Sequence, residues 1–182
     1  MELTDSVGPV VELPVKWTPP REGWFKINVD GAIFSKQKSV GIRVLIRDEL
    51  GRVDAALSKK VDAPLGAVEV EAKALKAGLM FARDEGLQNV VLEGDSLIFI
   101  NALCGTASPP TFVEPIVMGV LDLCRDFRSI VFSHVGRQGN EPAHLLAKHE
   151  SSVADFISWI EEDPCCIEKA LIQDVLSFSC IQ

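Results

Sequence analysis

The sequence predicts a mixed α/β fold in which five strands form one sheet flanked by helices. Three observations support this. Residues 24–61 show strand alternation broken by turns, residues 66–83 change to a helical period, and short β-branched runs then alternate with helical runs to residue 150. The predicted order is β-β-β-α-β-α-α-β-α. Consecutive strands with tight turns favour antiparallel pairing, whereas βα alternation favours parallel pairing, so we expect three antiparallel strands followed by parallel strands.

Each strand is identified by its alternation and by the turn that ends it. "WFKINVDGA" (24–32) places alternate apolar residues on one face and breaks at Gly31. "SVGIRVLIRDELGRVDAALSKKV" (39–61) predicts two strands joined by a turn at Asp48–Gly51. The fourth and fifth strands are the short apolar runs at 89–95 and 129–135.

The helices follow from apolar spacing and from their breakers. The first repeats Val70, Ala74, Leu75 and Leu79 at helical intervals, and "SLIFINALCG" predicts a short helix closed by Gly105. After "SPPT" we expect a helix over about 112–127 and, after the loop "GRQGN", a last one over about 140–150.

The chain divides into three segments. Residues 1–22 hold four prolines and predict an extended lead-in, residues 23–150 form the domain, and residues 151–182 form a partly helical C-terminal extension. The apolar spacing of that extension also fits a segment that binds a protein partner.

Composition restricts the class of function. The 182 residues carry a formal net charge of −8, no apolar run approaches the roughly 18 residues of a membrane helix, and the start lacks an apolar signal core. The five cysteines are an odd number without metal-type spacing, which favours a reduced, intracellular protein that is not secreted. Because phosphate backbones bind through Lys and Arg, so acidic a domain would hold nucleic acid only weakly, through cations held locally.

Three carboxylates stand where solvent-exposed charge is not expected. Asp30 ends the first strand, Glu71 borders the apolar stripe of the first helix, and Asp95 follows the fourth strand. Taken singly they could be a turn residue, a side chain reaching solvent and a helix N-cap. If strands 1 and 4 are neighbours, the three converge into an all-oxygen site for Mg²⁺ or Mn²⁺, and two such ions could clamp both oxygens of a phosphoryl displacement.

Five segments then resemble a known family: "FKINVDGA", "GIRVLIRDELGRV", "AVEVEAKALKAGL", "NVVLEGDSLIFINAL" and "FSHVGRQGNEPAHLLAKH". In this order they resemble the ribonuclease H-like domain, in the version common in plant and retroelement-derived proteins. The resemblance implies the ribonuclease H-like fold over about 24–150 and a metal-dependent endonuclease that hydrolyses the RNA strand of RNA–DNA hybrids. It also implies two Mg²⁺ or Mn²⁺ ions and catalytic, metal-binding roles for Asp30, Glu71 and Asp95.

The chain departs from the family pattern at two places. In "NEPAHLLA", His144 stands where active members commonly carry a fourth carboxylate, and the basic, Trp-containing protrusion of bacterial enzymes has no counterpart here. His144 could be a core histidine, or it could act at the metal site as a ligand, a water-bridged ligand or a general acid/base. Because Mg²⁺ prefers oxygen ligands, we expect weaker binding of the second ion. The alternative function is a domesticated nucleic-acid-binding or protein-interaction module with little catalysis.

The remaining candidates have lower rank. His134 and His149 are weaker site candidates. Phosphate contacts, if not ordinary surface charge, would come from four basic residues: Lys36, Lys38, Arg137 and Lys148. Exonuclease relatives of the same fold usually carry Asp-x-Glu in the first strand, whereas Asn28 and Ala32 flank Asp30 at that spacing.

Overall fold

The computed structural model describes residues 16–146 and 156–179, and within them one mixed sheet carries helices on both faces. The strands are β1 (Phe25–Phe34), β2 (Ser39–Arg47), β3 (Val53–Val61), β4 (Asn89–Gly94), β5 (Ser129–His134) and β6 (Phe156–Ile160). The helices are α1 (Ala67–Asp84), α2 (Leu97–Leu103), α3 (Glu114–Leu123), α4 (Glu141–Leu146) and α5 (Glu168–Ser179). No helix in this part of the chain is long and apolar enough to cross a membrane.

The strand pairing confirms the predicted mixed sheet. The order is β5-β4-β1-β2-β3-β6; β1, β2 and β3 are antiparallel, and β4 and β5 run parallel to β1. Strands β1 and β4 are therefore neighbours, paired from Phe25↔Val90 to Asn28↔Glu93. This adjacency is what the convergence of the three carboxylates required.

The predicted number of five strands was wrong, because the described sheet has six. Strand β6 comes from the C-terminal extension and pairs antiparallel with β3, with Leu57 opposite Ser158. Its sequence, "FISWI", is apolar enough to be taken for part of a helix, but the free edge of β3 offers unpaired backbone groups that a strand can satisfy. The rest of the described extension includes the helix α5.

Several observed element boundaries also differ from the predicted ones. Strand β1 does not end at Gly31 but continues to Phe34, because residues 32–34 still pair with β2 before the turn at Ser35–Gln37. The helix predicted over 112–127 is regular only within α3 and has 3-10 turns at both ends. Of the helix predicted over 140–150, residues 147–150 lie outside the described part.

The two faces of the sheet differ in chemistry. One face is apolar and packs under α1, α2 and α3, with Ile27 and Val29 of β1 and Val44 of β2 fully buried. Because side chains alternate along a strand, the opposite face receives Asp30 from β1 and Arg43 from β2. That second face is covered partly by α4, by α5 and by the turn that precedes α5. Their apolar residues pack on Leu45, Val53 and Ala56: Leu146, Leu171 and, from the turn, Ile167.

A buried polar network ties both ends of the described chain to this second face. Asn28 accepts a hydrogen bond from the indole of Trp17 (3.1 Å) and donates to Glu93 on β4 (2.9 Å). Arg47 of β2 reaches Asp174 of α5 at 2.8 Å. Buried charges persist only when paired, so this network makes the lead-in from residue 16 and helix α5 part of the same packed unit.

Candidate active site

Asp30 lies in the middle of β1, not in a turn, with Arg43 of β2 as its cross-strand partner. It is only 5% exposed, and its Oδ2 atom accepts no hydrogen bond. Burial raises the pKa of this carboxyl group, and the neighbouring Asp95 raises it further, while His144 and Arg43 lower it. Asp30 is thus a buried carboxyl group with both basic neighbours (Arg43, His144) and an acidic neighbour (Asp95).

Glu71 enters from the second turn of α1, where the helix passes close to β1. The approach depends on Gly31: a Cβ there would lie 3.0 Å from the backbone carbonyl carbon of Val70 and 3.1 Å from the backbone nitrogen of Glu71. The N–H of Gly31 donates a hydrogen bond to the Glu71 carboxylate. Burial, followed by repulsion from Asp95 and Asp30, nevertheless raises the pKa of Glu71 to about 8. Like charges are therefore concentrated here.

Asp95 follows β4 directly and is half-buried. It is not the N-cap of α2, because Ser96 occupies that position and no side chain caps the helix. The ring of His134, at the end of the neighbouring β5, donates from Nε2 to the backbone carbonyl of Asp95 at 3.2 Å. His134 therefore ties the β4–α2 connection to β5 and positions Asp95 through its backbone.

His144 on α4 lies beside Asp30, with its Nδ1 3.7 Å from Asp30 Oδ1. Its Nε2 is 3.2 Å from Nη2 of Arg137, and because a guanidinium can only donate, Nε2 must be the acceptor. The ring proton of a neutral imidazole then sits on Nδ1, facing Asp30. In this arrangement both ring nitrogens already have protein partners. The structure thus brings His144 to Asp30, and not into an apolar core pocket.

Two residues that the sequence analysis did not single out complete the surroundings of Asp30. Asn140, 1% exposed, donates from Nδ2 to the backbone carbonyl of Val29 at 2.8 Å and so fixes the start of α4 next to Asp30. Arg43 is fully buried, with its Nη1 3.8 Å from Asp30 Oδ2. A charged residue inside the otherwise apolar run "VGIRVLI" was the available signal for Arg43.

The residues fit a divalent cation in chemistry but are not yet arranged around one. Three carboxylates form an oxygen donor set of the kind Mg²⁺ and Mn²⁺ prefer, and Asp30 Oδ2 has an unused lone pair. Burial and the charges of Asp95 and Asp30 raise the pKa of Glu71 to about 8. Within residues 16–146 and 156–179, however, no group of three or more His, Cys, Asp or Glu side chains could hold a metal ion as it stands. Holding one would need side-chain movement.

The other basic candidates lie farther out. Lys36 and Lys38 are exposed on the turn between β1 and β2, and Arg137 is exposed but linked to the site through His144. Lys148 and His149 lie outside the described residues. Of the candidates for phosphate contact that the structure describes, Arg137 is the one that contacts a site residue, His144.

Comparison with known proteins shows which family this chain is similar to. A family model described as "Reverse transcriptase-like" matches residues 28–150, which is more than half of the chain. A "putative ribonuclease H protein" of Arabidopsis thaliana is 26% identical over 177 residues, covering 96% of this chain. The chain spans 28% of the length of that relative.

Solved structures agree on the fold. Ribonuclease H1 from the halophilic archaeon Halobacterium salinarum matches with a TM-score of 0.62 at 22% identity, over 66% of this chain and 92% of that one. LC11-RNase H1, solved in complex with an RNA/DNA hybrid, matches with a TM-score of 0.59 at 20% identity, over 66% and 91% of the two chains. The chain therefore belongs to the reverse transcriptase-like family and contains a ribonuclease H-like domain.

Proposed function

We propose that this chain is a metal-dependent endonuclease that hydrolyses the RNA strand of RNA–DNA hybrids. The observation that carries the proposal is the convergence of Asp30, Glu71 and Asp95, which come from β1, α1 and the end of β4. Burial, followed by repulsion from Asp95 and Asp30, raises the pKa of Glu71 to about 8. Such strongly perturbed carboxylates cluster at functional sites. The hybrid as substrate is supported by the named relatives and by the complex of LC11-RNase H1 with an RNA/DNA hybrid.

The side chains have separate tasks in this proposal. Asp30, Glu71 and Asp95 would hold the cations, probed as Mg²⁺ or Mn²⁺ and expected to number two. His144 would join them only if its Nε2 lone pair is released from Arg137. A bound divalent ion would lower the pKa of an attacking water and offset the charge that develops on the phosphate.

The proton on Glu71 links this chemistry to pH. With a pKa of about 8, its carboxyl group holds a proton near neutral pH, and a cation bound nearby would favour the loss of that proton. Asn140 and His134 would act as positioning residues, since they fix backbone atoms beside Asp30 and at Asp95. Arg137, exposed beside His144, is the basic residue we assign to a substrate phosphate.

The test is cleavage of an end-labelled RNA–DNA hybrid by the full chain with MgCl₂ or MnCl₂. We expect the wild type to produce RNA fragments with 3′-hydroxyl and 5′-phosphate ends, and Asp30→Asn and Asp95→Asn to lose this activity. Asp84→Asn is the matched control, since Asp84 is an exposed carboxylate at the far end of α1 that pairs with Arg83. Equal inactivity of wild type and site variants with both metals would end the proposal.

One observation favours a second function, that of a binding module with little catalysis. Oδ1 of Asp30 faces the imidazole of His144 and Oδ2 faces the guanidinium of Arg43, so Asp30 has a cationic neighbour without any metal. The net charge of −8 and the absence of a basic protrusion point the same way. Calorimetry distinguishes the two functions, because the binding module should take up little Mg²⁺ while still retaining a nucleic-acid or protein partner.

A further inference from the structure

We infer that Arg43 is a built-in counter-cation of the carboxylate site, which competes with divalent metal for Asp30 and sets how tightly the site holds it. This inference deepens the proposed function and rests on its assignment of Asp30 to a cation site. It assigns to Arg43 the role of a positioning residue that controls metal affinity.

Arg43 lies directly beside Asp30. Asp30 and Arg43 are direct cross-strand partners on β1 and β2, and their side chains share one face of the sheet. Arg43 is fully buried, and its Nη1 lies 3.8 Å from the one oxygen of Asp30 that accepts no hydrogen bond. An arginine keeps its charge at any working pH, so a positive charge stands permanently beside the oxygen with the unused lone pair.

The fold also makes room for this guanidinium. A Cβ added at Gly41 would lie 2.6 Å from Nη2 and 2.9 Å from Nη1 of Arg43, so the guanidinium rests over a backbone position that has no side chain. The ring of Phe34 lies 5.6 Å from its central carbon. The guanidinium is thus packed in place beside Asp30.

The consequence for metal binding is electrostatic. A divalent ion that approaches Asp30 Oδ2 meets a fixed positive charge only a few ångströms away. At such distances the interaction between charges near a protein surface exceeds the ~1.4 kcal/mol that changes an equilibrium constant tenfold. Removing the charge of Arg43 should therefore tighten metal binding, even though the residue touches no metal.

The experiment measures Mn²⁺ affinity of the full chain by titration with MnCl₂, followed by electron paramagnetic resonance of the free ion. We expect Arg43→Gln to lower the Kd for Mn²⁺ by about tenfold or more. Arg43→Lys, which keeps a positive charge, should stay near the wild-type Kd. Adding Asp30→Asn to Arg43→Gln should abolish the gain.

Arg47→Gln is the matched control, because Arg47 is also a fully buried arginine on the same face of β2, but its carboxylate partner is Asp174. It should leave the Kd for Mn²⁺ unchanged. An Arg43→Gln protein that binds Mn²⁺ no more tightly than wild type overturns the inference, and so does an equal gain in Arg47→Gln.

Should Arg43→Gln not fold, Gly41→Ala retains every charge while its methyl group displaces the guanidinium. A Kd for Mn²⁺ identical to that of wild type would then overturn the inference. Its failure is distinguishable from failure of the proposed function. If wild type cleaves the hybrid but Arg43→Gln leaves the Kd for Mn²⁺ unchanged, only the inference about Arg43 fails. If Arg43→Gln binds Mn²⁺ more tightly but no hybrid is cleaved, only the proposed enzymatic function fails.

Discussion

Replacing Glu71 by Gln should make the metal-free protein more stable at neutral and alkaline pH. In the folded chain the pKa of Glu71 rises from 4.5 to about 8, because burial and the charges of Asp95 and Asp30 disfavour its ionised form. Each pKa unit corresponds to ~1.4 kcal/mol, so ionising Glu71 within the fold costs up to about 5 kcal/mol. The amide of Gln cannot ionise and avoids this cost.

The sign follows from proton binding. The folded state holds the Glu71 proton more tightly than the unfolded state, so the stability tied to that proton is fully present below pH 4.5 and is lost as pH rises to about 8. Glu71→Gln should therefore match wild type near pH 4.5 and exceed it increasingly up to pH 8. We expect a final difference of at least about 2 kcal/mol, since relaxation of the site reduces the full value.

The assay is urea unfolding in EDTA between pH 4.5 and 9, followed by the fluorescence of the buried Trp17 and Trp24. Glu69→Gln serves as control for a Glu-to-Gln change on the same helix, since the Glu69 carboxylate binds the N–H of Gly66 at the helix start (3.3 Å). Parallel stability profiles for wild type and Glu71→Gln across this range would refute the reasoning.

Three further changes have defined outcomes. Asn140→Ala leaves the buried carbonyl of Val29 without its donor and should lower the free energy of unfolding, measured in urea, by about 1–3 kcal/mol. Asn140→Asp removes the same donor, so an Asn140→Asp protein as stable as wild type would contradict this reasoning. Asp174→Ala leaves Arg47 buried without its carboxylate and should cost about 3–5 kcal/mol, a loss that calorimetric melting will detect and that Arg47→Met should partly reverse. His144→Asp replaces a nitrogen base beside Asp30 by an oxygen ligand and should lower the Kd for Mn²⁺, whereas His144→Ala should not.

The sheet, and the convergence of Asp30, Glu71 and Asp95 on it, could largely be predicted from the sequence, because both depend on local periodicity. Strand alternation and helical spacing gave β1 to β5 in the right order, and the adjacency of β1 and β4 brought Asp30 and Asp95 to one region. Glu71 was recognisable as a charge on an apolar stripe. These inferences need only the residues within each element and the general rules for connecting strands.

The surroundings of Asp30 could not be predicted in the same way. Asn140 binds Val29 across 111 positions of the chain, and Arg43 faces Asp30 only because the β1–β2 register places them opposite each other. The sixth strand depends on a free sheet edge, a tertiary property that the sequence of β6 does not display. The neighbours of Asp30 thus depend on long-range strand register, and β6 depends on the unpaired backbone groups at the edge of the sheet.

Strand β6 and helix α5 also bear on where the folding unit can be cut. The family match ends at residue 150, yet a chain shortened there would present the nine-residue β3 as the open edge of the sheet in place of the five-residue β6. A longer edge offers more unpaired backbone N–H and C=O groups to another molecule. The same cut would remove Asp174 and leave the Arg47 guanidinium buried with its carboxylate gone. We expect such a shortened protein to self-associate in gel filtration, whereas residues 16–179 should remain monomeric. The extension thus replaces a long exposed sheet edge by a shorter one.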